Sequence, residues 1–128
     1  MSKLLLIVTA LVEVATGAAL VIAPSLIVEL LLGEGLTSPQ SLVLGRITGA
    51  ALISIGVACG LASRGEASGY RVLVSSILIY NLAVPALLIR AATAYGMRGI
   101  ALWPGCALHI GLAIWCVLCL RQSYLREW

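Results

Sequence analysis

Long apolar runs separated by short polar turns dominate this chain. Four runs are long enough to cross a hydrocarbon core about 30 Å thick, because an α-helix rises about 1.5 Å per residue. They predict membrane-spanning helices over residues 4–23, 42–62, 70–92 and 100–120. Pro24 and Gly33 bracket a shorter apolar segment and suit the first turn and the end of a helix. We therefore expect one all-α domain, a four-span bundle with a short interfacial helix over 24–33.

Composition indicates that lipid is the solvent of these helices. Hydrophobic residues make up 62% of the 128 positions and charged residues 10%, against about 45–50% and about 25% in soluble domains. The mean hydropathy is +1.12, and a core of this size could not hide so much apolar surface from water. The net charge of +3 is small and the basic residues are scattered, which argues against a nucleic-acid partner.

The basic residues also predict an orientation. With four spans, both termini lie on the same side of the membrane. Basic residues are more numerous on that side than on the other, where Arg46 also lies just inside the membrane: Lys3, Arg64, Arg71, Arg121 and Arg126 against Arg90 and Arg98. Positive loops favour the cytoplasm, so we expect a multi-pass protein of the bacterial inner membrane with both termini cytoplasmic.

Glycines line one face of the second predicted span. They form two GxxxG motifs that share this face: Gly45, Gly49, Gly56 and Gly60. In lipid, close backbone approach through small residues drives helix association. We expect other helices to pack on this face. The pattern leaves open whether those helices belong to the same chain or to another one.

A few polar side chains interrupt the spans. Counting along the predicted helices places Glu13, Asn81 and His109 near mid-membrane, with Arg46 roughly 6 Å inside the outer edge. A charge at the bilayer centre costs at least about 2.5–3.5 kcal/mol, so Glu13 requires a partner or a proton. We expect these four side chains to form an interior cluster in which Arg46 reaches towards Glu13. Arg46 could instead extend outward, and such clusters often only fix helix register.

Cys116 and Cys119 form a CxxC pair on one face of the fourth predicted span, with Cys59 at a similar depth. They are a candidate redox pair, although a cysteine in a membrane helix is mostly a small apolar residue. The chain has one His and no Asp, so we predict no metal site. We predict no cofactor either, while a bound lipid or quinone is compatible with the bundle.

Three segments resemble small four-helix bacterial membrane proteins of the DoxX-like type: GRITGAALISIGVACGLA, YNLAVPALL and LWPGCALHIGLAIW. The resemblance covers most of the chain and consists of four spans, small residues and sparse polar groups. It implies a four-helix membrane fold. Some members of that group resemble subunits associated with quinone-linked oxidoreductases, and the resemblance implies no catalytic residue.

Short loops leave little surface for soluble chemistry, and the sequence has no phosphate loop or nucleophile elbow. We therefore expect a non-catalytic accessory or scaffold subunit that packs against other membrane helices, in a homo-oligomer or a larger complex. The alternative is a channel or carrier for protons, small ions or solutes, in which Glu13 binds the proton, Arg46 tunes it and His109 relays it. A third reading is a membrane thiol or quinone redox protein.

Overall fold

The computed structural model describes residues 2–64 and 69–125, and these ranges contain five helices and no strand. The helices are α1 (Ser2–Ile22), α2 (Pro24–Leu32), α3 (Pro39–Ala62), α4 (Tyr70–Ala94) and α5 (Leu102–Leu125). All except α2 are long and apolar enough to cross a membrane. The predicted all-α fold is confirmed, and the chain has the architecture of a multi-pass membrane protein. Arg126, which contributed to the predicted orientation, lies outside the described residues.

Capping and propensity set the helix ends that the apolar pattern misplaced. α3 begins before the predicted residue 42, because Pro39 occupies its first turn and the Ser38 hydroxyl accepts from the Ser41 N–H at 3.1 Å. α5 continues past residue 120 because Arg121 and the residues after it are polar yet compatible with a helix. Hydropathy marks only the apolar part of such a helix.

The helices pack as two close pairs, α1 with α3 and α4 with α5. Glycines bring α1 and α3 together, since a Cβ atom built on Gly49 would lie 2.6 Å from the Gly17 carbonyl oxygen. A Cβ on Gly56 would lie 2.7 Å from Val14 Cγ2. Gly49 and Gly56 therefore pack against α1 of the same chain.

The two ends of the predicted glycine face behave differently. At one end, a Cβ on Gly45 would lie 2.9 Å from Pro24 Cβ, so the lack of a side chain at Gly45 lets the start of α2 pack closely against α3. At the other end, a Cβ on Gly60 would meet its nearest neighbour, Ala10 Cβ, at an ordinary 3.8 Å. Three of the four predicted packing glycines are therefore in close contact, and Gly60 is not.

The short helix α2 joins the two pairs. Its last turn accepts two backbone hydrogen bonds from the loop between α4 and α5: Arg98 N–H to Leu32 O at 3.1 Å and Ala101 N–H to Leu30 O at 2.8 Å. These bonds satisfy carbonyls that a helix end leaves without an intrahelical partner. α2 is therefore part of the bundle as well as a short helix after the first span.

Two apolar clusters fill the interior at different depths. The larger one contains Leu5, Leu6, Cys59, Val74, Ile77, Leu112, Cys116 and Cys119. The smaller one contains Leu88, Leu102 and Cys106. Along α4 and α5, Asn81 and His109 lie between the two clusters, so a polar layer separates them.

Candidate functional site

Glu13 lies inside the bundle, as the cost of a lipid-exposed carboxyl requires. Its side chain is 1% exposed. One carboxyl oxygen, Oε2, accepts a hydrogen bond from the Tyr80 hydroxyl at 3.3 Å. The other, Oε1, is buried and has no hydrogen-bond partner among the described residues. The bundle therefore holds a carboxyl in its interior, and one of the two carboxyl oxygens accepts no hydrogen bond from the described residues.

Thr9 extends this unpaired polar surface by one helical turn. It is 0% exposed, and its Oγ1 has no hydrogen-bond partner in the described part of the chain. Other hydroxyls in the spans donate to a carbonyl four residues back in their own helix: Thr48 to Leu44, Ser76 to Val72 and Thr93 to Ile89. Buried polar atoms without partners are uncommon and call for an explanation. Thr9 and Glu13 therefore each leave a buried polar atom unpaired among the described residues.

Asn81 and His109 form the second half of the polar layer. The His109 Nδ1 and Asn81 Oδ1 atoms are 2.7 Å apart. A carbonyl oxygen only accepts, so Nδ1 carries the hydrogen and Nε2 is the acceptor of the neutral ring. The Asn81 amide nitrogen donates to the Ile77 carbonyl at 2.9 Å. Both side chains of this pair are thus fixed in orientation.

Tyr80 connects the two halves of the layer. Its hydroxyl contacts Glu13, and its ring meets the His109 ring edge to face, with centroids 5.5 Å apart and planes at 83°. Sequence reasoning did not include Tyr80 in the cluster. A signal was present, because tyrosines in membrane proteins concentrate at the interfaces and this one lies at mid-span beside Asn81.

Pro85 also affects the layer. It lies inside α4, and proline has no N–H to donate four residues back. The backbone carbonyl of Asn81 therefore lacks its usual helical donor. The missing hydrogen bond of α4 therefore lies at the level of the polar layer.

Arg46 does not join the cluster, so the predicted pairing with Glu13 is not formed. Its side chain is exposed, and its Nε donates to the Val21 carbonyl at 3.3 Å. Val21 follows Glu13 by eight residues, about 12 Å along a helix. The last carbonyls of α1 have no intrahelical donor, so Arg46 can bond one of them near the interface. This costs less than moving a guanidinium group to mid-membrane.

The cysteines lie in apolar surroundings. Cys116 is 0% exposed, Cys119 3% and Cys59 0%, and all three are free thiols within the larger apolar cluster. Reactive thiols need access and a polar, electropositive environment. The structure therefore gives the candidate redox pair a packing role. Within the described ranges, no group of three His, Cys, Asp or Glu side chains is arranged to hold a metal ion.

The site combines a carboxyl, a phenol, an imidazole and a carboxamide from α1, α4 and α5 in an otherwise apolar interior. Carboxyl and imidazole groups gain and lose protons, and a phenol can donate to either. A scan against protein-family models, a search of curated proteins and a search of solved structures each found no match for this chain. Its function therefore has to be inferred from these side chains.

Proposed function

We propose that this protein is a proton carrier of the membrane that uses Glu13, Tyr80 and His109. One observation supports this above the others: the Glu13 carboxyl is 1% exposed, and Tyr80 is its only hydrogen-bond partner among the described residues. An ionised carboxylate costs several kcal/mol in such an interior. Glu13 must therefore hold a proton or a cation, and alternate gain and loss of a proton is the elementary step of a carrier.

In this proposal Tyr80 and His109 are the next groups to exchange that proton. The Tyr80 hydroxyl reaches Glu13, and the His109 ring packs against the Tyr80 ring. Because Asn81 fixes the Nδ1 hydrogen of His109, the Nε2 atom is the one that can accept a proton. Imidazole is the side chain best suited to proton exchange near neutral pH.

The apolar clusters favour a carrier over an open channel. Both sides of the polar layer are closed by buried side chains, including Ile77 and Cys116 on one side and Leu102 and Cys106 on the other. A proton at Glu13 is thus occluded from both faces. Relative movement of the α1–α3 and α4–α5 pairs could open one side at a time, as in other shear motions of packed helices.

The alternative is a scaffold subunit, which the short loops and the lack of a soluble catalytic motif favour. Gly49 and Gly56, which such a subunit could use to bind other chains, pack against α1 of the same chain. We keep the bacterial inner membrane and cytoplasmic termini as part of the proposal, because the distribution of basic residues supports them.

Proton flux into liposomes tests the proposal. The purified protein is reconstituted with a pH-sensitive dye inside, and a potassium diffusion potential drives protons inward. We expect flux well above that of empty liposomes, a fall to background in Glu13→Gln, and at least a several-fold decrease in Tyr80→Phe. Glu29→Gln is the matched control, because Glu29 is an exposed carboxyl on α2. Wild-type flux equal to that of empty liposomes, or unchanged flux in Glu13→Gln, would refute the proposal.

A further inference from the structure

A groove runs between α3 and α4, which belong to different helix pairs. Its volume is about 310 Å³, and its lining residues are Ser54, Ile55, Ala58, Leu73, Ser76, Ile77 and Tyr80. Small-molecule sites in proteins occupy about 300–1,000 Å³ and are mostly apolar with a few polar groups. This groove fits the lower end of that range.

The groove opens towards the bilayer. Ser54, Ala58 and Ser76 on its walls are exposed, and both helices are long enough to span the membrane. The two serine hydroxyls donate to carbonyls of their own helices, Ser54 to Ala50 at 3.0 Å and Ser76 to Val72 at 3.0 Å. The walls therefore offer mainly apolar contact, and a molecule that enters must dissolve in lipid.

The groove lining is almost entirely apolar, and Tyr80 connects its wall to the buried carboxyl of Glu13. Tyr80 forms part of the wall, and its hydroxyl donates to Glu13 at 3.3 Å, longer than the usual O–H···O distance of about 2.7–2.8 Å. Glu13 Oε1 and Thr9 Oγ1 are both buried with no hydrogen-bond partner among the described residues. Glu13 does not line the groove, so its carboxylate contacts a groove occupant only if the Tyr80 hydroxyl moves aside.

We infer that this groove binds a lipophilic cation that enters from the bilayer and places its charge at Glu13. A buried carboxylate with no cation beside it among the described residues selects a positive group. The Tyr80 ring can contact that group through its face, while the α3 and α4 walls contact the apolar part. The inference rests on the proposed function and names the substrate class: the cation and the proton compete for Glu13, so each cation bound releases one proton.

Binding of decyltrimethylammonium to the protein in phosphatidylcholine nanodiscs tests the inference, with empty nanodiscs subtracted. We expect saturable binding, at least ten-fold tighter than that of the uncharged 1-decanol. The affinity should fall at least ten-fold in Glu13→Gln and in Ala58→Trp, which fills the groove. It should not change in Glu29→Gln. In weakly buffered solution, the wild type should release about one proton per bound cation, in line with a single competing carboxyl.

Each other result has a definite meaning. Equal binding of the cation and 1-decanol, or wild-type affinity in Glu13→Gln, would overturn the inference and make the groove a slot for lipid acyl chains. Unfolding curves of the variants identify any that misfold, and Tyr80→Phe, which keeps the ring and the groove wall, is the second probe of cation affinity. Proton flux without the cation separates the two proposals. Flux with no cation binding refutes only the inference, and absence of both refutes both.

Discussion

Gly17 and Gly49 set the distance between the backbones of α1 and α3. Each lies against the carbonyl oxygen of the other, and added Cβ atoms would lie 2.5 Å and 2.6 Å from those oxygens. A backbone atom cannot move aside as a flexible side chain can. Gly60 has the same GxxxG spacing, yet the nearest atom to its added Cβ is 3.8 Å away. The motif alone does not distinguish the two kinds of glycine.

Alanine substitution should separate them. We expect Gly49→Ala to lower the free energy of unfolding by about 1–3 kcal/mol, because the added methyl overpacks the helix contact. Gly60→Ala should be neutral or slightly stabilising, since alanine has the better helix propensity. Reversible unfolding in detergent measures both. Equal destabilisation by the two substitutions would contradict the described packing.

The site could be predicted from the sequence in part. The interior positions of Glu13 and Asn81 follow from the cost of polar groups in lipid, which depends only on the depth along each helix. Which side chain pairs with Glu13 depends on how the helices pack against one another, and the apolar pattern along the chain does not contain this information. The sequence therefore predicted Arg46 as the partner of Glu13, whereas the structure has Tyr80.

Among the elements, α2 depends on the loop between α4 and α5. The backbone of Gly99 lies against Leu31 so closely that any Cβ at this position would overlap the Leu31 backbone. The adjacent hydrogen bonds from Arg98 and Ala101 to the end of α2 require this approach. Hydropathy predicted that α2 exists but not where it docks, because docking depends on one small residue in a distant loop.

Gly99→Ala should separate the loop between α4 and α5 from the end of α2. We expect a loss of about 1–3 kcal/mol of stability from overpacking, together with faster hydrogen exchange of the Arg98 and Ala101 amides. Gly111→Ala is the control, because nothing lies within 4 Å of a Cβ built there. Protected amides in Gly99→Ala would show that the loop does not need a glycine.

At the scale of the whole molecule, the four spans follow from length and hydropathy, and they pair in chain order. α1 packs mainly against α3, the next span along the chain, and α4 packs against α5. The short α2 allows this arrangement, since its own contacts extend to α1, α3 and α5. The pairing leaves the α3–α4 boundary open along part of its length, which is where the groove lies.

The orientation can be tested with single introduced cysteines. Lys3 and Glu34 are separated by one crossing of the membrane, and both are exposed. In intact spheroplasts, an impermeant maleimide should label Glu34→Cys, and should label Lys3→Cys only after permeabilisation. The wild type is the control, because its cysteines are at most 3% exposed. The reverse pattern would invert the orientation, and labelling of both in intact cells would exclude α1 as a span.

Pro85 has a mechanical consequence for the protein. The hydrogen-bond ladder of α4 is interrupted at the Asn81 carbonyl. α4 therefore bends most easily at the level of Glu13. Flexing there would carry the Tyr80 hydroxyl towards or away from Glu13 while the helix ends stay anchored. Curvature of α4 would then be coupled to the ionic state of the Glu13 carboxyl, so that a change in one changes the other.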